Sequence, residues 1–403
     1  MRVYIAPCGI GLGHITRSDP IAKELNRRGN LTIFSTYLDG LDYARHNHLP
    51  TYEAVPINFR VTSDGTIDFK RTAATSGFSL GIRIFLRQVV REIQFMKQFR
   101  PDIVFSDSRA SSLVAARLMR IPVALMLNQF QVEIIRRPSN RRLSLFDRFF
   151  FFIANIGWLF TRTVIQLVWG RSQIILIPDL PSPYTISLGN LAIPRRYDEK
   201  VKLIGPVIEN RRDVGNGRMR VAHEIGFDPR KPIVYAAISG PRVERRILAG
   251  ILKDAFRGIS RRYQIVLSQG EPEGQRKPRT VNGIRVYDWI ENQDEFIKAS
   301  DVIVSRAGHG TIMKSLVYGK PMILIPIPDH TEQYGNARRA ASLHVAEMID
   351  QNKVTPETLG SAIERILRDD QYKTNSVRVK KTAASLDAVS TACDTIAILA
   401  RSG

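Results

Sequence analysis

Short apolar runs, each the length of a buried strand, alternate with helical patterns along almost the whole chain. That alternation leaves few options. Strands of this kind pair in parallel and need a crossover helix between them, so the chain must fold as layered α/β structure. In the first half the runs are Val3–Pro7, Leu31–Ser35, Ile103–Ser106, Val123–Leu127 and Ile174–Pro178. In the second they are Ile233–Ala237, Gln264–Leu267, Ile284–Tyr287, Val302–Val304 and Met322–Ile325. Pro20–Arg28 reads as helix, and from Pro356 the pattern is helical to the end. Between the two series, Gly205-Pro206 and the polar stretch Arg211–Gly217 punctuate the chain. With 403 residues, the expected division is a first α/β domain over 1–200, a linker over 201–217 and a second α/β domain over 218–375. Residues 376–403 are expected to be a terminal helix. Two domains joined by a short hinge leave a cleft, where ligands bind.

Lysine and arginine number 59 against 38 acidic residues, a net charge of +21. A surplus of this size calls for a polyanionic partner, whether nucleic acid, an anionic bilayer or a phosphate-bearing substrate. With 44% hydrophobic residues the chain is globular rather than disordered. Its two cysteines, Cys8 and Cys393, exclude a disulfide framework and a Cys-rich metal centre. No window reaches 18 consecutive uncharged apolar residues, so a clean membrane-spanning helix is not expected. Met1–Gly13 lacks the basic start and cleavage pattern of a signal peptide and reads as a buried strand.

Ser144–Gly170 fits a soluble core poorly. It holds eight of the 33 aromatic residues, including two of three tryptophans. Phe149, Phe150, Phe151 and Phe152 are consecutive and cover every side of a helix, and Trp158, Phe160 and Trp169 follow. Arg136, Arg137, Arg141, Arg142 and Arg148 precede the aromatic run, Arg162 interrupts it and Arg171 follows. Aromatic and apolar groups flanked by arginine suit the headgroup boundary of an anionic membrane. The uncharged core, Phe149–Thr161, is too short to span a bilayer. The alternative is a buried helical hairpin with solvated arginines. Nucleic-acid binding is disfavoured, because base-stacking aromatics are interleaved with polar residues and not packed in a run. Upstream, Ile82, Phe85, Leu86, Val89, Val90, Ile93 and Met96 recur at helical spacing, with Arg83, Arg87 and Arg91 expected on the opposite face as contacts for a diphosphate or as a solvated face.

Three strand ends carry the chemistry. The first strand runs into Cys8-Gly9-Ile10-Gly11-Leu12-Gly13-His14, followed by Arg17. Glycines at 11 and 13 permit a sharp turn and close approach of a ligand, and the helix beyond offers free amides. The spacing is not that of a dinucleotide fingerprint. The positive end of a helix dipole disfavours an imidazolium, which suits His14 as a general base toward a sugar hydroxyl; the alternative is a loop hydrogen bond. Asp107 also ends a strand and would orient His14, or else cap the helix starting near Ala110. In the second series, Arg306, Gly308, His309, Gly310 and Thr311 form a glycine turn that can hold a diphosphate. After the next strand, His330, Glu332, Gln333 and Asn336 cluster with the hydrogen-bonding capacity for several hydroxyls.

Together these loops resemble the GT-B glycosyltransferases, specifically the MurG-like group, over essentially the whole chain. The most specific stretches are Val302–Gly308, Gly319-Lys320-Pro321 and His330-x-Glu-Gln-Tyr-x-Asn336-Ala337. Ser239-Gly240 resembles that family's glycine turn near the donor phosphates. The resemblance implies two Rossmann-like domains facing a cleft, with the nucleotide-sugar on the second domain and the Gly11–Arg17 loop facing the acceptor. It implies that the terminal helix packs back on the first domain. It also implies a Glu contacting the ribose hydroxyls, where this chain has Lys314, a cation without acceptor capacity. With the basic aromatic segment, the chain is similar to transferases that add N-acetylglucosamine from UDP-GlcNAc to a dolichyl- or polyprenyl-diphosphate sugar, acting peripherally on the cytoplasmic face of the membrane. No Asp-x-Asp metal motif stands out, so inverting transfer without metal or other cofactor is expected. Other readings are a UDP-sugar epimerase, a soluble small-molecule transferase and a non-enzymatic polyanion-binding protein. Oligomeric state is left open.

Overall fold

Val3, Tyr4, Ile5 and Ala6 are all fully buried, as only a strand covered on both faces can be. They lie in β1 (Arg2–Pro7), near the middle of a sheet of seven parallel strands ordered β3-β2-β1-β4-β5-β6-β7. The others are β2 (Leu31–Thr36), β3 (Thr51–Glu53), β4 (Ile103–Asp107), β5 (Val123–Met126), β6 (Ile174–Ile177) and β7 (Val201–Leu203). This is a computed structural model, and it describes residues 1–57, 78–130, 144–209, 217–240 and 242–402. The first domain's helices are α1 (Gly13–Arg27), α2 (Leu38–His46), α3 (Phe78–Phe99), α4 (Ala110–Leu118), α5 (Leu145–Trp169) and the short α6 (Leu188–Leu191).

The second domain repeats the plan with the order β10-β11-β9-β8-β12-β13-β14. Its strands are β8 (Ile233–Ala237), β9 (Gln264–Ser268), β10 (Arg279–Val281), β11 (Ile284–Tyr287), β12 (Val302–Ser305), β13 (Met322–Leu324) and β14 (Ala346–Met348). Only the edge pair β10–β11 is antiparallel. Around it lie α7 (Gly217–Glu224), α8 (Arg242–Arg257), α9 (Gln293–Ala299), α10 (His309–Val317), α11 (Thr331–Ser342), α12 (Pro356–Arg368) and α13 (Asp370–Ala384). The last helix, α14 (Ala388–Ser402), returns to the first domain, where Ala388, Ala392, Cys393 and Ile396 pack with Val3, Ile5 and Leu25.

Five sequence expectations are corrected by the structure. β3, β7, β10 and β14 are strands too short to stand out as apolar runs. Val201–Leu203 belongs to the first sheet, and Ile204–Ile208 is buried rather than an exposed linker; Val207 joins the first domain's core and Ile208 the second's. The rest of the linker expectation, 210–216, lies outside the described residues. The return to the first domain begins at Ala388 and not at 376, because Val379 and Ala383 of α13 are core residues of the second domain. Its crossing lies beside the first one: a Cβ on Gly205 would come within 2.7 Å of Leu386. Asp370–Arg401 is long and apolar enough by composition to cross a membrane, yet it breaks at Ser385–Asp387 into α13 and α14, which pack on different domains.

The fourth concerns the aromatic segment, which forms one long helix and not a hairpin. α5 exposes Phe149, Phe152, Ile153, Ile156, Leu159, Phe160, Val164 and Leu167, residues that fall on one helical stripe. Trp169 does not belong to it. It is 4% exposed and its ring lies 5.8 Å from that of Phe130, inside the core. Trp158 is half-buried, the side chains of Phe150 and Phe151 lie outside those described, and so do Arg136, Arg137, Arg141 and Arg142. On α3 the apolar residues divide. Val89 and Met96 face the core, whereas Ile82, Leu86 and Val90 are exposed beside Arg83, Arg87 and Arg91 rather than opposite them. The fully buried Glu92 fixes this rotation, accepting hydrogen bonds from Tyr4, Ser35 and Arg109.

At Gly9, an added Cβ would sit 2.0 Å from the Tyr37 carbonyl oxygen, so the loop after β1 can press on α2 only with glycine there. Gly9→Ala is expected to lower unfolding free energy by ~2 kcal/mol or more, measured by urea denaturation.

Candidate active site

In both sheets the strand order reverses beside the first strand of the domain, and loops on either side of such a point diverge to leave a crevice. In the first domain that point lies between β1 and β4, where Pro7 is in register with Asp107. The Cys8 amide extends the ladder by donating to the Asp107 carbonyl at 3.0 Å. The chain then turns through Gly11, whose φ of +69° favours glycine and whose amide donates to Asp39 Oδ2 at 3.0 Å. This turn starts α1 at Gly13 and sets His14 in its first turn.

His14 and Asp107 are brought together: Nδ1 lies 2.8 Å from Oδ1. Arg17, one turn further along α1, donates from Nε to Oδ2 at 2.6 Å and from NH2 to Oδ1 at 2.5 Å. Burial pushes the Asp107 carboxyl up, but the Arg17 guanidinium and then His14 outweigh it and bring it down to about 2. An ionised carboxylate only accepts, so in a neutral imidazole the proton sits on Nδ1 and the lone pair on Nε2. The His14 side chain is 24% exposed, while Asp107 is fully buried. The capping alternative for Asp107 is excluded. The N-cap of α4 is Arg109, which makes no side-chain cap, and the Asp107 oxygens are taken up by His14, Arg17 and Ser108. Arg17 is itself buried against Asp107, so it is a support beneath the loop and not an exposed acceptor contact.

In the second domain, β8, β12 and β13 are neighbours, so their following loops converge. Ser239 Oγ is 3.5 Å from Thr311 Oγ1, and Gly240 has φ +116°. α10 opens with Gly308 as its N-cap, so the amides of His309, Gly310 and Thr311 are first-turn donors without partners in their own helix. A Cβ on Gly310 would meet nothing within 4 Å, and one on Gly308 only Ser239 Oγ at 3.8 Å. Such an open amide cradle suits a phosphate.

Arg306 is corrected. Rather than reaching into the cradle, it is fully buried and donates to the carbonyls of Ile325, Pro326 and Glu244. Burial lowers its guanidinium to about 10. His309 is likewise turned inward, its Nε2 3.2 Å from Oδ2 of the buried Asp179 of the first domain. His330 is the N-cap of α11, accepting from the Gln333 amide, and burial pushes its imidazole down against the opposing charge of Glu332. Gln333 accepts the Ile327 amide, which fixes the loop after β13. Glu332 and Asn336 reach across to the first domain, Glu332 accepting from Asn128 at 2.7 Å and Asn336 from Asn190 at 2.9 Å. Lys314 donates to Asp294 at 3.0 Å.

Asn128, Asp179 and Asn190 were not foreseen. Asn128 and Asp179 stand just past strand ends that the apolar runs had marked, which is the signal that could have found them. Asn190 and the cross-domain pair Asp39–Arg245 carry no sequence signal. Asp179 accepts the amides of Leu180, Ile186 and Ser187. Burial works against ionisation of its carboxyl, but His309 and then the Ser187 hydroxyl and amide hold it down at about 2.

Residues 245–391 match the glycosyltransferase family 28 C-terminal domain. An uncharacterized glycosyltransferase of Methanosarcina acetivorans is 25% identical over 388 residues, covering 96% of this chain and 93% of that one. A UDP-N-acetylglucosamine–N-acetylmuramyl-(pentapeptide) pyrophosphoryl-undecaprenol N-acetylglucosamine transferase of Legionella pneumophila is 22% identical, covering 94% and 92%. Among solved structures, the calicheamicin glycosyltransferase CalG4 superposes with a TM-score of 0.66 at 14% identity, covering 99% and 98%. The spinosyn rhamnosyltransferase SpnG complexed with thymidine diphosphate gives 0.64 at 14% identity, covering 98% and 99%.

Because its folded-state carboxyl is depressed, Asp179 contributes stability that is present above the ordinary carboxylate range and lost as pH falls from about 4 towards 2. Asp179→Asn is therefore expected to cost about 2 kcal/mol at pH 7, with the gap to wild type narrowing at pH 3; urea unfolding at the two pH values measures both. The chain has the GT-B glycosyltransferase fold throughout, and its residues 245–391 match the C-terminal domain of glycosyltransferase family 28.

Proposed function

We propose that this chain is an inverting glycosyltransferase that moves a sugar from a nucleotide-sugar donor to a lipid-diphosphate-linked sugar. The observation that carries this reading is the His14–Asp107 pair at the first sheet's switch point, its imidazole on α1, a helix that meets α10 across the cleft. The acceptor hydroxyl attacks the anomeric carbon and gives its proton to His14 Nε2, while Asp107 stabilises the imidazolium. The bond from that carbon to the diphosphate breaks on the opposite side. The leaving diphosphate takes the electron pair and rests on the amides of His309, Gly310 and Thr311, beside Ser239 and Gly240. The absence of a metal motif in the sequence favours these amides as the main electrostatic support.

N-acetylglucosamine carried by UDP is the donor we favour, because the Legionella relative bears that specificity in its name at 22% identity. The same name supports a polyprenyl-diphosphate acceptor. Independent support comes from the surface. α3 and α5 both pack on α4 over one face of the first sheet; α3 exposes Ile82, Leu86 and Val90 beside its own Arg83, Arg87 and Arg91, and α5 adds its apolar stripe. A groove of about 450 Å³ runs along α3 between Val55 and Gln94. Such a face suits peripheral attachment to an anionic membrane, which a soluble small-molecule transferase would not need.

His14→Ala is expected to lower kcat by ~10²-fold with donor affinity retained, measured by product formation on a polyprenyl-diphosphate sugar and by donor titration. Normal turnover would remove His14 from the mechanism. Phe152→Ser with Phe160→Ser is expected to cut sedimentation with phosphatidylglycerol vesicles several-fold while leaving the folded state intact by circular dichroism.

A further inference from the structure

Asn128 stands where the two halves of the site touch. It follows β5, is 5% exposed, and its side-chain amide is engaged at both ends. Arg17 NH1 donates to Asn128 Oδ1 at 3.1 Å, and Asn128 Nδ2 donates to Glu332 Oε1 at 2.7 Å. A guanidinium can only donate and a carboxylate can only accept, so the amide orientation is forced. Few side chains of this size present an acceptor and a donor in fixed opposition. The result is an unbroken series of hydrogen bonds from the second domain to the imidazole: Glu332, Asn128, Arg17, Asp107, His14.

α11 has other holds on the first domain. Asn336 and the Glu332 carbonyl meet Asn190, and Arg339 donates to the carbonyls of Thr185 and Pro183. Those contacts dock the helix without touching the His14 cluster. Among the described residues, only the contact through Asn128 continues into it.

We propose that Asn128 is a positioning residue that transmits docking of α11 to the His14–Asp107–Arg17 cluster, so that the base is fully oriented only when the sugar-side helix is in place. The proposal rests on the reading of His14 as the base. Arg17 spans both acids' neighbourhoods: held at NH1 by Asn128, it presents Nε and NH2 squarely to Asp107, and a looser Arg17 leaves the carboxylate free to rotate and the imidazole with it.

The test is a swap of hydrogen-bond polarity in the full-length protein. Asn128→Asp sets two carboxylates face to face and breaks the contact. Glu332→Gln then turns the acceptor into a donor, and the double variant can rebuild the bond with its direction reversed, while Arg17 still finds an acceptor at 128. Two readouts are taken for wild type, both single variants and the double. One is kcat and donor KM. The other is the His14 imidazole signal in histidine-selectively labelled protein, assigned by its loss in His14→Ala. The expected result is a fall in kcat and a displaced His14 signal for Asn128→Asp, with the double variant recovering at least ~5-fold in kcat over the additive expectation and returning the signal toward wild type. Asn190→Ala, by contrast, is expected to raise donor KM and leave the His14 signal in place. Additive losses in the cycle, or a His14 signal that ignores Asn128→Asp, overturn the proposal. Should wild type transfer no sugar while the signal follows the swap, the catalytic reading fails and the mechanical link stands.

Discussion

The site is organised around one buried carboxylate. Asp107 has lost all contact with water, a loss that disfavours its charge, and it remains ionised because Arg17 and His14 close on it from α1. Everything on the first domain's side of the cleft follows from that arrangement. The carboxylate sits at the end of a fully buried central strand, so its position is set by the sheet. It then fixes the rotation of α1 at two points one turn apart. The glycine loop before α1 is held from the other side, by the Gly11 amide on Asp39 and by the approach of Gly9 to Tyr37. The imidazole is thereby placed by rigid elements rather than by a free loop.

The second domain repeats the topology with different chemistry. At its switch point stand an amide cradle and a buried Arg306 that ties the β12 loop to the carbonyls of neighbouring segments. Arg306 thus keeps the cradle in shape without lending its charge to it. Electropositive character at the cradle comes from the start of α10. Between the domains, polar side chains of α11 and α10 pair with Asn128, Asn190 and Asp179, so the cleft walls are held together by polar contacts rather than by apolar packing alone.

Much of this was legible in the sequence, for reasons that differ by residue. Central parallel strands such as Val3–Ala6 and Ile233–Ala237 are buried on both faces and therefore read as unbroken apolar runs. Edge strands such as Thr51–Glu53 and Arg279–Val281 are three residues long and partly solvated, and leave no such trace. Strand-end positions gave His14 and Asp107: Gly13 followed by a polar residue marks a turn out of a sheet, and Asp107 is the charged residue that closes the apolar run from Ile103. Arg306 was misread since a cation beside a glycine loop looks the same in one dimension whether it faces a ligand or the interior. Trp169 was misread for a related reason: a run of aromatics shows that some face must be apolar, and only the packing of Phe130 shows where the exposed stripe stops. Asn128 and Asn190 matter through partners more than 140 residues away, a relation no local pattern holds.

The polypeptide passes between its domains twice, once at Val207–Ile208 and again at Leu386–Ala388, with Gly205 lying against Leu386. Two connections side by side act as a pair of pins in a single barrel. Sliding or twisting one lobe on the other would pull the pins apart, whereas tilting about the line they share strains neither of them. Any opening of the cleft would in consequence be a swing about one axis, with the largest excursion at the rim farthest from Gly205.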